Sequence, residues 1–440
     1  MSEKEIIERL DALTQTVAKQ QEEIRYLQQQ LEAQKTAAEA VSGKKEAGTE
    51  QVAAKETEEK KKPEWTERVQ LGGDLRLRYE GLYNREQRQT NGSTIALPTR
   101  DQYRIRARVF VDGKVSDEVS AHFMLCTNQD TNKEATTTNQ SLTDDFNDKG
   151  IYLHRAYGTY KPHWLEGLEL TAGKFKNTFL HTDIMWDPDV NPEGIYERYQ
   201  YQGWKTFQPF VHLGQMVVNE VDLQTDDAAL YIYQGGFDWK IGPVKWTLAG
   251  SYYDWANLHN SKYLHTADYR KGGGNTFTGA LVNTSVYPNT AATAQYKYDY
   301  NLAEAITYLN FKAWSVPVKL TFDYIKNTDG DVPDDKDTAY YAGFTLGQNK
   351  QKGDMSLDYK YARIERDAVI GSMNDQDFYG ANRKGHKVTF STLLLDKLMF
   401  QTAYFYTDPV TAWVPNSTNW TNEKNWEHEE RLQGDFILSF

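Results

Sequence analysis

The sequence predicts an all-β protein: a sixteen-stranded antiparallel transmembrane β-barrel, preceded by an α-helical coiled coil and a flexible linker. Three observations lead to this prediction. Apolar and polar residues alternate from about residue 67 onward, short and long connections follow one another, and the chain ends on an aromatic residue, Phe440. Alternation with a period of two is typical of strands that have one apolar and one wet face.

The composition agrees with a barrel and argues against a helical membrane protein. The mean hydropathy is −0.74, and no apolar run approaches the roughly 18 residues that a membrane helix needs. Averaged hydropathy does not reveal the strands of a barrel, because only alternate residues of each strand meet lipid. The 29 tyrosines suit a membrane–water interface. A net charge of −12 does not favour nucleic acid, and a single cysteine, Cys126, excludes an intrachain disulfide.

Residues 1–34 form the first predicted domain, a coiled-coil helix. Apolar residues recur there at alternating steps of four and three: Ile6, Leu10, Leu13, Val17, Ile24, Leu27 and Leu31. One helix cannot bury so narrow a stripe by itself, so we expect it to associate with copies of itself. The stripe leaves dimer and trimer open, and a helix docked elsewhere on the protein is the alternative.

Residues 35–64 lose this period and form the second predicted domain, a disordered linker. They are rich in Ala, Lys, Glu, Thr and Gly, which cannot bury enough apolar surface to order the segment. The chain begins without a basic stretch followed by an apolar one, so no export signal is visible. For a barrel of the outer membrane, we expect that such a signal was removed or replaced by the start methionine.

Residues 65–440 form the predicted barrel, and its alternation is clearest where arginines occupy the polar positions. Leu75 and Leu77 alternate with Arg76 and Arg78 in the first strand. The sixteen predicted strands are 69–79, 103–109, 119–126, 152–160, 168–175, 196–203, 210–218, 230–239, 245–253, 303–313, 318–324, 339–347, 355–361, 387–394, 398–406 and 430–440. A closed up-and-down barrel needs an even number. Strands four and five alternate less cleanly, which a β-bulge would explain.

The connections differ in length at the two predicted ends of the barrel. Those at one end are short, such as 163–167 and 396–397, whereas those at the other reach the length of 127–150 or 255–302. Short turns opposite long loops are typical of bacterial outer-membrane barrels. Five tryptophans near the short turns suggest an interfacial girdle: Trp164, Trp204, Trp239, Trp246 and Trp314. A soluble two-sheet sandwich also alternates, but it rarely needs sixteen strands with loops this long.

Four stretches carry a resemblance to a known family. They are the Gly-Asp-Leu-Arg-Leu-Arg-Tyr-Glu of 73–80, the arginine alternation of 103–109, the Gly-Lys-Phe-Lys within 170–177, and the Trp-Asp-Pro-Asp-Val-Asn-Pro-Glu-Gly of 186–194. The chain resembles the bacterial putative porin family with an amino-terminal coiled coil, distantly similar to the phosphate-selective porins. The likeness covers about 67–255 and the last strand. It implies a sixteen-stranded outer-membrane barrel, a homotrimer, passive diffusion of hydrophilic solutes, and recognition of Phe440 by the barrel-assembly machinery.

The arginines of the first two strands are the first group of candidate site residues. If Leu75 and Ile105 face lipid, the arginines between them must face the lumen, because arginine on the lipid side costs about 2–4 kcal/mol. The predicted pore-lining basic residues are Arg76, Arg78, Arg104, Arg106 and Arg108.

The acidic residues of the third long loop, 177–195, are the second group. They are Asp183, Asp187, Asp189 and Glu193. The resemblance implies that this loop folds into the barrel and narrows it. Carboxylates facing an arginine wall would create a transverse field across the constriction. The alternative is a structural network in which the arginines pair with wall acids such as Asp74 and Glu80. Anion or cation preference stays open.

The sequence offers little for catalysis. The nine histidines show no metal-ligand spacing, so we expect no metal, no cofactor and no enzyme. His154 has an outward-facing parity, which a barrel lipase could use, although a plain wall histidine is favoured. The acidic loop 329–335 is expected to be solvated rather than a calcium site.

We therefore expect a porin of the Gram-negative outer membrane, with its coiled coil in the periplasm. Its expected partners are outer-membrane lipid, small hydrophilic solutes and two further copies of itself, with cell-wall contact through the coiled coil. The rival hypothesis is a structural outer-membrane anchor, or cell-wall tether, that acts through the coiled coil.

Overall fold

Sixteen antiparallel strands close on themselves in the computed structural model. The structure describes residues 68–88, 93–128, 135–143, 145–220, 227–259, 274–278, 295–378, 380–412 and 428–440. The predicted coiled coil, 1–34, and linker, 35–64, lie outside the described residues. Among those described, no helix is long and apolar enough to cross a membrane.

The strands follow one another around the barrel in chain order. They are β1 (Val69–Tyr83), β2 (Arg100–Lys114), β3 (Val119–Thr127), β4 (Ile151–Tyr160), β5 (Leu168–Lys174), β6 (Glu193–Gln200), β7 (Phe207–Asn219), β8 (Ala228–Ile241), β9 (Val244–Ala256), β10 (Tyr300–Ala313), β11 (Val316–Asn327), β12 (Thr338–Gly347), β13 (Met355–Ile364), β14 (Arg383–Leu395), β15 (Leu398–Pro409) and β16 (Glu429–Ser439). Because β1 pairs with both β2 and β16, the sheet has no free edge. The predicted sixteen-stranded barrel is confirmed.

Short elements lie between the barrel strands. Gln140–Ser141 pairs with β2, and Glu86–Arg88 pairs with Thr94–Ala96. Phe277–Thr278 pairs with Gln295–Tyr296, and Gln376–Phe378 forms a 3₁₀ turn.

The two faces of the wall differ as the alternation predicts. On β1, Leu77 is 51% exposed whereas its neighbour Arg78 is 6% exposed. The last strand shows the same division, with Phe436 and Leu438 outside and Asp435 buried inside. Phe440 exchanges two backbone hydrogen bonds with Gly73, each 3.1 Å long, which completes the closure. Leucine therefore lies on the outer surface and arginine in the interior.

A β-bulge interrupts β4. Met124 of β3 faces Arg155, but the next residue, Leu125, faces Leu153, so His154 has no partner across the ladder. A bulge shifts the parity of every residue beyond it. His154 is accordingly buried inside and contacts the amide of Asn191 at 2.8 Å. The prediction that His154 faces outward is wrong for this reason.

The barrel interior holds more than the one loop that the sequence predicted: Thr136, Thr137 and Asn139 of the loop between β3 and β4 line its cavity, and two longer segments enter as well. Inner loop A is residues 175–192, and inner loop B is residues 365–378 and 380–382. Phe179 and Trp186 of loop A and Ile370 of loop B belong to one apolar cluster with inward residues of β6 to β13, such as Leu230 and Tyr300. Apolar packing therefore fills one side of the interior, and the arginines occupy the other.

Candidate functional site

The arginine wall consists of Arg76 and Arg78 on β1 and Arg104, Arg106 and Arg108 on β2. The register places Arg76 opposite Arg106, and Arg78 opposite Arg104. Like charges directly across a ladder destabilise a sheet unless acids lie between them. The wall therefore depends on carboxylates from neighbouring strands and loops.

Wall acids neutralise part of this charge. The Asp74 carboxylate accepts hydrogen bonds from Arg106 and Arg108, with Nε–O distances of 2.8 and 2.7 Å. Asp435 of β16 accepts two hydrogen bonds from Arg78, at 2.7 and 2.8 Å. Both carboxylates lie inside the barrel, and the pair formed by Asp435 and Arg78 is almost fully buried. Two-point contacts of this kind fix the planes of the guanidinium groups.

Arg76 differs from its neighbours. Its Nη2 donates to the Asn139 side chain, and no carboxylate of the described residues lies within 4.0 Å of its guanidinium. Arg76 is only 9% exposed. It therefore contributes a positive charge that a hydrogen bond orients but that no direct ion pair neutralises.

The predicted acids of inner loop A have different surroundings. Asp183 pairs with Lys360 of β13 at 2.5 Å. Asp189 lies 3.5 Å from Arg108, and it accepts hydrogen bonds from the backbone and hydroxyl of Thr138. Asp187 is buried and accepts a hydrogen bond from the Asp189 amide at 2.8 Å. Burial, with the nearby Asp189 and Asp375 carboxylates, raises the pKa of Asp187 well above its usual range and so favours its neutral form.

Glu193 is separate from the other three. It is the first residue of β6 rather than a loop residue, and its carboxylate contacts Lys174 of β5 at 2.6 Å. It does not line the cavity beside the arginine wall. The strand begins earlier than its alternation indicates, so Glu193 lies at the edge of the wall.

Inner loop B supplies acids that the sequence did not indicate. Asp377 lies 3.2 Å from Arg78 and also pairs with Arg431 of β16. Although burial favours the neutral acid, the guanidiniums of Arg431 and Arg78 hold the pKa of Asp377 well below its usual range. Asp375 lies 3.4 Å from both Lys360 and Lys387. Loop B thus extends from loop A to the arginine wall.

The two loops are joined to each other. The Asp375 amide donates to the Asp183 carbonyl at 3.0 Å, and the Asp187 amide donates to the Met373 carbonyl at 2.8 Å. Lys360 is 4% exposed and contacts a carboxylate of each loop. The loops therefore form one layer across the barrel interior.

A polar cavity of about 400 Å³ lies between this layer and the arginine wall. Four of the five predicted arginines and three of the four predicted acids line it; Arg108 and Glu193 do not. Its basic side chains are Arg76, Arg78, Arg85, Arg100, Arg104, Arg106, Arg431 and Lys387. Its acidic side chains are Glu80, Asp183, Asp187, Asp189, Asp375, Asp377 and Glu429.

Sequence reasoning missed part of this lining, and for different reasons. Arg431 shares the inward parity of Gln433 and Asp435 in the last strand, and closure of the barrel brings it beside β1. That signal was present in the sequence. Asp375 and Asp377 lie in a long loop without periodicity, so no pattern indicated that they enter the barrel. Among the described residues, no group of three or more potential ligands could hold a metal ion.

Comparisons with known proteins place the chain among barrels. A model of the family described as "Putative porin" matches residues 4–417. The high-pH structure of Pseudomonas putida OprB has 10% identity and a TM-score of 0.51, covering 85% of this chain and 95% of that chain. OmpT of Vibrio cholerae, in its trimer form, has 12% identity and a TM-score of 0.45, covering 84% and 99%. At these identities the structural likeness concerns the fold alone. No curated protein matches the chain.

Proposed function

Because the chain belongs to the putative porin family, we propose that it is a channel of the Gram-negative outer membrane through which small hydrophilic solutes and ions diffuse passively. One observation carries the proposal: a closed barrel holds a polar cavity with an arginine wall on one side and carboxylates of the inner loops on the other. A protein that only anchored a helix would not need to keep so many charged groups inside its barrel, where burial is costly.

The cavity is the proposed narrow part of the solute path. Its positive groups come from β1, β2, β14 and β16 and from nearby loop residues, and many of its negative groups come from loops A and B. Opposite charges across a confined space create a field that orients polar solutes, because a confined lumen screens charge less than bulk water does.

The charges of the cavity indicate a modest preference for anions. Eight basic and seven acidic side chains line it. The raised pKa of Asp187 favours its neutral form, which adds to this excess of basic groups. Arg76 adds to this excess because it lacks a direct carboxylate partner. We propose that anions enter somewhat more readily than cations.

Planar-bilayer recordings of the purified full-length protein test the channel. Stable conductance steps are expected, with a reversal potential in a KCl gradient that shows a small chloride preference. A bilayer that stays closed would contradict the channel and favour the tether. Steps with a clear potassium preference would contradict only the proposed charge effect.

We also propose that the barrel forms a homotrimer and that the helix of residues 1–34 supports it from the periplasm. β1 begins at the end of the barrel that carries the short turns, so a segment preceding it starts on that side. Removal of residues 1–64 should weaken the trimer, which mass measurement of the detergent-solubilised protein would detect. An unchanged trimer would assign its stability to the barrel wall.

A further inference from the structure

A second cavity, of about 660 Å³, lies where the barrel wall is lowest. β5 has 7 residues and β6 has 8, which makes them the shortest strands of the barrel. A transmembrane strand needs about 9–11 residues. Seven residues at a tilt of about 40° rise only about 18 Å, whereas the apolar band of such barrels is about 25 Å tall. The wall therefore has a notch within the height of that band.

The strands on both sides of the notch continue past the short hairpin. β4 pairs with β5 only from Ala156 to Tyr160, so its residues 151–155 extend beyond β5. β7 pairs with β6 only as far as Met216, so residues 217–219 extend beyond β6. Each extension contains a bulge, at His154 in β4 and near Val218 in β7. Bulges are common at barrel rims.

The lining of this cavity combines residues from both faces of the wall. Leu153 and Val217 are outward residues, 56% and 60% exposed. Met216 and Leu230 are inward residues of the neighbouring wall and are almost fully buried. A cavity bounded by both kinds of residue passes through the wall. It therefore opens on the outer, apolar surface of the barrel.

The inner end of the cavity is aromatic. Trp186 of inner loop A and Trp255 of β9 lie there, with ring centroids 6.0 Å apart. Apolar side chains form most of the lining, and Lys174 pairs with Glu193 at one edge. The other polar lining residues are Asn128, His154, Asp189, Asn191, Asn219 and Glu220. The volume falls within the range of small-molecule sites. One water occupies roughly 30 Å³ in the liquid, and a methylene group is of similar size. A cavity of about 660 Å³ would therefore hold about twenty methylene groups.

We propose that this cavity is a lateral window that takes up an acyl chain of a membrane amphiphile. The surface around its mouth continues the lipid-facing wall, since Ile151 and Leu125 are also exposed apolar residues at this height. A flexible chain can fill a narrow apolar notch, whereas the convex wall of a second barrel cannot enter it. The inference rests on the proposed membrane location but not on conduction.

Quenching by brominated lipid tests the window. The full-length protein is placed in phosphatidylcholine vesicles with or without bromine at the middle of the acyl chains, and the fluorescence lost to bromine is measured. Trp186 and Trp255 face the interior, where an intact wall would shield them. If a chain enters, the double variant Trp186→Phe/Trp255→Phe should lose about a quarter less fluorescence to bromine than the wild type, because it lacks two of the seven tryptophans that bromine can then reach. An unchanged loss would overturn the proposal.

A matched pair of substitutions controls for indirect effects. Val217 and Val211 lie on the outward face of β7, but only Val217 lines the window. Val217→Phe should protect the two inner tryptophans from bromine, and Val211→Phe should not. Equal effects of both would overturn the proposal. The proposal would also be overturned if bromine quenched the inner tryptophans only after the wild-type oligomer had been dissociated. A second copy of the chain, rather than an acyl chain, would then cover the window.

The outcomes separate this inference from the proposed function. If bromine quenches no tryptophan, the barrel does not lie in the membrane, and both ideas fail. If it quenches outward tryptophans such as Trp239 but spares Trp186 and Trp255, only the window fails. If bromine quenches the inner tryptophans but the protein does not conduct ions, the proposed window is supported and the proposed channel is wrong.

Discussion

Replacement of Arg76 by glutamine separates a pore-lining role of the arginine wall from a purely structural one. Arg76 lines the cavity, donates to Asn139 and has no carboxylate of the described residues within 4.0 Å. Its removal leaves no buried acid without its partner but takes the donor from the buried Asn139 oxygen, so we expect a loss of stability of only about 1–3 kcal/mol. The change in ion preference, by contrast, should be measurable.

The expected size of that change follows from the cavity. A sphere of about 400 Å³ has a radius of about 5 Å. The contact distance between the ion and the wall atoms adds about 3 Å, so an ion at the centre lies about 8 Å from the charged groups of the wall. A unit charge at about 8 Å contributes about 0.5 kcal/mol in water, and 0.1 M salt about halves it. Cations and anions respond with opposite sign. The chloride-to-potassium permeability ratio should therefore fall about two- to sixfold.

The assay is the reversal potential of single channels in a KCl gradient, for the wild type, Arg76→Gln and a control. Lys352→Gln removes the same charge from the exposed short turn between β12 and β13, which does not line the cavity. It should leave the permeability ratio unchanged. If Arg76→Gln and the control give the same reversal potential as the wild type, the wall does not act on permeating ions, and the structural interpretation would replace the pore-lining one.

Three further predictions concern the charged network. Asp435→Asn should destabilise the barrel by about 1–3 kcal/mol because Arg78 loses its buried two-point partner but keeps Asp377 at 3.2 Å; urea unfolding in detergent measures this, and Asp331→Asn on an exposed loop is the control. Asp377→Asn should raise the chloride preference, since it removes a carboxylate from the cavity; an unchanged reversal potential would contradict this. The raised pKa of Asp187 means that the folded protein retains a proton that the unfolded chain releases above about pH 4. Asp187→Asn should therefore stabilise the protein more at pH 7 than at pH 4, and an equal effect at both would show that folding does not raise the pKa of Asp187.

The sequence predicted the wall better than the interior. Strand alternation depends on neighbouring residues, so the positions of Leu77 and Arg78 on opposite faces could be inferred locally. His154 shows the limit of that approach, because one bulged residue reverses the face of its neighbours without leaving a clear mark in the sequence. Glu193 shows a second limit, since a strand boundary displaced by three residues moves a side chain from the loop to the wall.

The apolar filling of the interior also escaped sequence reasoning. Alternation along the strand predicts that Tyr300 and Leu302 point into the barrel, where both are buried. It does not predict which segment packs against them. Loop B covers part of this surface, and loop B has no periodicity that would place it there. Pairings such as that of Asp377 with Arg431 join residues far apart in the chain, and only closure of the sheet brings them together.

The amino-acid sequence by itself determined the number of strands, their antiparallel order and the division between an apolar outer and a charged inner face. These follow from local periodicity and connection length, which act over a few residues. The tertiary structure alone decided which charges meet, which loops enter the barrel and where the wall is low. Those features depend on long-range register and on competition among loops for the same interior space, for which a single sequence carries no local signal.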